Sequence, residues 1–143
     1  MSEQPKKLKR LSVRPIQSNA VKILYVEDAA VIRDTIARLL ELKGYRVAYA
    51  KNGQEGVDLT LSWKPDLVLM DLRMPVMDGY NAIREIKSNP ATRHLPIFVV
   101  SAWSSKKERS AAHAAGADEF FVKPPNLDRL TEAINEAVAL TKQ

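Results

Sequence analysis

The chain has 143 residues, 45% of them hydrophobic and 27% charged, a size and composition that suit one domain with a core of its own. It has no cysteine, which excludes disulfides, thiolate metal sites and catalytic thiols. The net charge of +5 is unevenly placed: in the first twenty residues Lys6, Lys7, Lys9, Arg10 and Arg14 face only Glu3, so nearly all of the excess belongs to that stretch.

Residues 1–20, with Pro5, Ser12, Pro15, Ser18 and Asn19 among the basic side chains, read as a disordered basic arm, and residues 21–143 as one globular domain. Leu8, Leu11, Val13 and Ile16 leave partner-induced folding of the arm as a second reading. The arm carries no aromatic residue on which a base could stack. No apolar run approaches the length that spans a bilayer, and the start lacks the apolar segment of a secretory signal. A soluble, cytoplasmic protein is expected.

From Val21 the chain alternates apolar runs with helix-period segments. Val21 to Val26 reads as the first strand. Ile32, Ile36, Leu39 and Leu40 then recur at helical spacing with Arg33, Arg38 and Glu41 between them, and Gly44 supplies the stop. Asp28, just before Ala29-Ala30-Val31, stands where it would cap that helix. Tyr45 to Ala50 is the second strand, and the Asn52-Gly53 turn opens a helix holding Val57, Leu59 and Leu61 that ends before Pro65. Residues 66–70 form the third strand, and a helix with Ile83 and Ile86 inward follows Asp78-Gly79. Pro96 to Val100 is the fourth strand, and Ser105 with Glu108 has the spacing of a capping box for a helix that stops at Gly116. Glu119 to Val122 is the fifth strand, and Asn126 opens a last helix that packs Leu127, Leu130, Ile134 and Val138 inward.

Five strands and five helices in strict alternation, joined by short connections, predict a doubly wound parallel sheet covered on both faces. A flavodoxin-like order 2-1-3-4-5 sets the first and third strands side by side at the switch point. Their ends would then bring Glu27, Asp28 and Asp71 together. His94 and His113 have no partner at metal or catalytic spacing and read as surface residues.

The acidic pair Glu27-Asp28, Asp71, the loop Met74-Pro75-Val76-Met77-Asp78-Gly79, Ser101-Ala102 and Lys123-Pro124 stand in that order at the ends of four strands. With this set, residues 21–143 resemble the receiver domain of two-component response regulators. The resemblance implies that Asp71 accepts a phosphoryl group from a phosphohistidine on a sensor histidine kinase or a histidine phosphotransfer protein. It implies Mg²⁺ as cofactor, bound by Asp28, Asp71 and the backbone carbonyl of Arg73, with Glu27 acting through water. Many receivers carry two Asp residues where this chain has Glu27-Asp28. Ser101 and Lys123 match the hydroxyl and the cation that contact the phosphoryl oxygens, and the Lys123-Pro124 bond is expected to be cis.

Phe120 takes the position of the switch aromatic that turns inward as Ser101 moves, altering the face formed by the fourth helix, fifth strand and fifth helix. Downstream targets, or a second copy in a homodimer, would meet that face. Phe121 reads as a core residue. Arg73 and Trp103 flank the mouth, and their guanidinium and indole are expected to stack and lengthen the phosphorylated state. The Met1 start and the finished last helix favour a stand-alone switch that assists its own phosphotransfer and dephosphorylation, with no DNA-binding domain; a receiver fragment of a larger regulator and a phosphorylation-independent interaction module are the alternatives. A phosphohydrolase of the haloacid dehalogenase type would place a second acid two residues after its nucleophile, where this chain has Arg73.

Overall fold

The computed structural model describes residues 19–142. Elements alternate along the chain as β1 (Lys22–Val26), α1 (Ala30–Leu42), β2 (Arg46–Ala50), α2 (Gly53–Ser62), β3 (Leu67–Met70), α3 (Gly79–Ser88), β4 (Ile97–Ser101), α4 (Lys106–Ala115), β5 (Glu119–Val122) and α5 (Leu127–Thr141). All strand pairs are parallel, in the order β2-β1-β3-β4-β5. The expected architecture is therefore present, with the first four strands each starting one residue later than the sequence pattern predicts. The basic arm lies outside the described residues save for Asn19 and Ala20.

Alternation within each strand divides the core into two layers, because successive side chains leave a strand on opposite faces. Leu24, Val26, Val68, Met70, Ile97 and Val99 join α2, α3 and α4, which contribute Val57, Ala82, Ile83, Ile86 and Ala112. Ile23, Tyr25, Leu67, Leu69, Phe98 and Val100 join α1 and α5 through Ile36, Leu40, Leu130, Ile134 and Val138. The central strands β3 and β4 are buried along their whole length, as an inner strand of a doubly covered sheet must be. Phe121 belongs to the α1/α5 layer and meets Phe98 with ring centroids 5.7 Å apart, so it is the core aromatic expected of it.

Two details of α1 depart from its sequence pattern. Ile32 and Leu39 are exposed, whereas Arg33 is buried with its guanidinium 4.4 Å from the Tyr49 ring. The inward stripe is Arg33, Ile36, Ala37 and Leu40: a long cationic side chain can lie along apolar surface, so a polar residue type did not mark the outer face here. On α2, Leu61 is likewise exposed, and the fully buried positions are small residues, Gly53, Gly56 and Thr60, beside the partly buried Val57 and Leu59. At Gly56 an added Cβ would press against the Val26 side chain, which fixes how closely α2 can lie on β1.

Candidate functional site

The site lies at the C-terminal pole of the sheet, where three strands each release a charged residue. Val26 and Met70 are register partners, and the ladder runs one residue further, with the Asp71 amide donating to the Val26 carbonyl at 3.0 Å and the Glu27 amide to that of Ala50 at 3.0 Å. The Lys123 amide likewise reaches the Ser101 carbonyl at 3.0 Å. Glu27, Asp71 and Lys123 each follow a strand residue of the α1/α5 layer by two, Tyr25, Leu69 and Phe121, so the alternation aims all three to one side.

Lys123 Nζ donates to Glu27 Oε1 and lies 3.3 Å from Asp71 Oδ2, bridging two buried carboxylates. Glu27, only 1% exposed, also accepts from the Ala29 amide at 3.1 Å and from the Tyr25 hydroxyl at 3.4 Å. Asp71 Oδ1 accepts from the Leu72 amide at 2.8 Å. Oxygen atoms of Glu27, Asp28 and Asp71 all fall within 4.8 Å of one another. Burial, with the Glu27 charge beside it, pushes the Asp71 carboxyl up to about 6, while Lys123 and the Leu72 amide pull the other way. Burial and the same acids raise the Tyr25 hydroxyl, which stays a neutral donor.

Three hard carboxylate oxygen donors this close repel one another unless a cation lies among them, and Lys123 reaches two of the three. Such an all-oxygen set fits Mg²⁺, which binds through a few carboxylates and keeps several waters. Asp28 is the exposed member of the three.

The expected capping role of Asp28 does not hold. The N-cap of α1 is Ala29, without a side-chain cap, and the carboxylate that turns to its amide is that of Glu27. One residue of displacement in the helix start is enough to take Asp28 out of capping position. The Ser105 and Glu108 pair is half as expected. Ser105 Oγ accepts from the Glu108 amide at 3.1 Å, but the Glu108 carboxylate turns away to Arg73 at 2.6 Å and to the Tyr80 hydroxyl. The Tyr80 bond, with Arg73 adding to it, holds that carboxyl below its usual range against the opposing effect of burial.

Arg73 and Trp103 stack, with the guanidinium carbon 4.3 Å from the ring centroid. Ser101 is fully buried and accepts from the Trp103 amide at 3.1 Å. Phe120 is half-buried, packed on the α2/α3/α4 layer, with the Arg109 guanidinium 4.8 Å from its ring. The Lys123-Pro124 bond is cis. His94 and His113 are exposed.

The loop after Asp71 is tightly constrained. Asp78 caps α3 by accepting from the Asn81 amide at 2.9 Å, and a Cβ on Gly79 would run into the Asp71 carbonyl oxygen and the Leu72 backbone. Val76 sits at φ 68 between Pro75 and Met77, whose carbonyl and amide close a three-residue turn at 2.7 Å. Sequence reasoning missed Tyr25, Tyr80 and Glu108. Tyr25 was within reach, since a hydroxyl two residues before Glu27 on a strand must share its face; Tyr80 and Glu108 had no such signal.

The family profile described as the response regulator receiver domain matches residues 23–135. The chain belongs to this family. Receiver domains are the phosphoacceptors of two-component signalling and partners of histidine kinases, not conventional enzymes. The chain is 42% identical over 119 residues to the transcriptional regulatory protein PdtaR of Mycobacterium tuberculosis, a match covering 82% of this chain and 57% of that protein. It is 40% identical over 110 residues to the response regulator MprA of Mycolicibacterium vanbaalenii, covering 77% and 47%. The chain thus spans about half the length of the curated relatives it matches. Among solved structures, the receiver domain of sensor histidine kinase PA1611 from Pseudomonas aeruginosa superposes with a TM-score of 0.79 at 32% identity, covering 84% of this chain and 98% of that one. That receiver domain holds a magnesium ion in its active-site cleft. The signal receiver domain of a histidine kinase from Syntrophus aciditrophicus gives 0.80 at 31% identity, covering 87% and 94%. Among the described residues, no helix of this receiver domain is long and apolar enough to cross a membrane.

Proposed function

We propose that Asp71 is the phosphoacceptor of this receiver domain, taking a phosphoryl group from a phosphohistidine on a histidine kinase or histidine phosphotransfer protein. The observation that carries this is the Lys123 ammonium bridging Glu27 and Asp71 inside a cluster of three carboxylates. An Asp71 oxygen attacks phosphorus, the O–P bond forms as the N–P bond breaks, and the electron pair returns to the imidazole nitrogen. The reaction needs alignment and charge neutralisation more than it needs a base.

Lys123 supplies part of that neutralisation by pairing with the arriving phosphoryl oxygens. Asp28 and Asp71, with the Arg73 carbonyl and with Glu27 through water, would hold Mg²⁺, which would neutralise the rest of the charge on the transferred group. The Ser101 hydroxyl leaves the Trp103 amide to meet a phosphoryl oxygen, and Phe120 moves inward behind it. The face of α4, β5 and α5 then changes its shape for a protein target or a second copy.

Intact-mass measurement after incubation with acetyl phosphate and Mg²⁺ tests the reading. Wild type should gain one phosphoryl mass, and Asp71→Asn should gain none. A wild-type protein that stays at its original mass would leave only phosphorylation-independent binding.

A further inference from the structure

Tyr80 on α3 and Glu108 in the first turn of α4 meet Arg73 at the edge of the mouth. The Glu108 carboxylate is divided: Oε2 takes the Arg73 guanidinium at 2.6 Å and Oε1 takes the Tyr80 hydroxyl. Its backbone amide is fixed on Ser105 Oγ, so the side chain leaves α4 from a set position. The same guanidinium lies 4.3 Å from the Trp103 ring, and the Trp103 amide is fixed on Ser101 Oγ. The ion pair joins the loop after β3 to the first turn of α4, and the stack joins the same loop to the segment after β4. Those are neighbouring strands, so the arrangement spans one side of the opening above Asp71.

An arginine two residues beyond the acceptor has many rotamers, and one half in solvent would sample them freely. Arg73 is 54% exposed at its side chain, whereas Glu108 is 18% exposed, so the carboxylate is the better-fixed partner. Stacking on an indole alone is a weak restraint at an exposed site; a charge-assisted bond from one side and a ring from the other define a single plane.

We propose that Glu108 is a positioning residue: by holding the Arg73 guanidinium flat on Trp103 it keeps a cover at the edge of the Asp71 mouth and so lengthens the life of an acyl phosphate formed there. The lifetime consequence rests on Asp71 being the acceptor. The grip itself does not, and the two are tested separately.

The protein has two tryptophans, so a Trp63→Phe background leaves Trp103 as the reporter. In the unphosphorylated protein, Glu108→Gln should raise the acrylamide quenching of Trp103, because the side chain keeps its size but loses its charge. After labelling with acetyl phosphate and Mg²⁺ and removal of the donor, the loss of phosphoryl mass should be about threefold faster in Glu108→Gln and in Arg73→Ala, a factor in line with a partly exposed ion pair. The double variant should decay no faster than Arg73→Ala alone. Added salt should speed decay in wild type and not in Arg73→Ala.

Unchanged quenching and decay in Glu108→Gln would overturn the proposal. So would multiplying effects in the double variant, which would mean that Glu108 acts without Arg73. A return to slow decay when Arg73→Ala is added to Glu108→Gln would also overturn it, since the guanidinium would then be a catalyst set free and not a cover. If wild type takes up no phosphoryl group, the acceptor reading and the lifetime claim fall together, and quenching still decides whether Glu108 holds Arg73.

Discussion

Replacing Asp71 with asparagine should make the metal-free protein more stable near neutral pH. Burial and Glu27 push the Asp71 carboxyl up to about 6 from an ordinary value of 3.8. That is about two pH units, or roughly 3 kcal/mol against keeping the charged form folded, on the constant of 1.36 kcal/mol per unit. With only 9% of its side chain exposed, Asp71 has little solvent to reduce that cost. Asparagine keeps an oxygen for the Leu72 amide, and the rise to about 6 already includes the opposing pull of Lys123, so a gain of at most roughly 3 kcal/mol is expected.

The sign follows from proton binding. Between about pH 4 and 6 the folded chain holds a proton on Asp71 that the unfolded chain has released, so stability rises as pH falls through 6 and levels off below 4. Urea unfolding with EDTA at pH 7.5 and pH 5 measures both effects. Asp71→Asn should lead wild type at pH 7.5, and roughly half of its lead should vanish at pH 5. Added Mg²⁺ at pH 7.5 should stabilise wild type far more than the variant. A variant no more stable than wild type at pH 7.5, or a lead unchanged at pH 5, would refute the reasoning.

Gly79→Ala should cost about 2–3 kcal/mol in urea unfolding, because its Cβ meets the Asp71 carbonyl and Leu72 backbone, which have no flexible end to give way. The same variant should slow phosphorylation by acetyl phosphate about tenfold or more, since the loop after Asp71 must shift. Val76→Gly should stabilise by about 0.5–1 kcal/mol: it relieves a β-branched residue at φ 68, offset in part by the greater freedom of glycine in the unfolded chain. Phe98→Ala should cost about 3–5 kcal/mol by thermal or urea unfolding, because a ring 2% exposed and packed on Phe121 leaves a cavity on both the strand and the α5 side.

The strands and their order were legible because period-two burial and short crossovers allow few alternatives. The meeting of Glu27, Asp28 and Asp71 followed from adjacency of β1 and β3 alone. The Arg73 and Trp103 stack was also foreseen, from their places two residues beyond Asp71 and Ser101 in the receiver resemblance. Helix faces were read less well. Ile32 and Leu39 look inward on a hydrophobic template, yet α1 turns Arg33 to the sheet, since hydropathy by residue type cannot see a guanidinium lying over Tyr49. Glu108 shows the other limit: its spacing from Ser105 fits a local cap, and a distant cation and phenol outcompete that use. Contacts across 35 and 28 residues leave no trace in local pattern.

Asp66 receives the Lys22 amide at 2.8 Å on one oxygen and Lys142 Nζ at 3.4 Å on the other. The start of the first strand and the end of the last helix are thereby clasped together at the pole farthest from the acids. A tether joined at residue 20 or at residue 142 would therefore start at the pole opposite the acids, and a short peptide joining residue 142 to residue 20 should permit new termini in one of the exposed loops with the acidic cluster undisturbed.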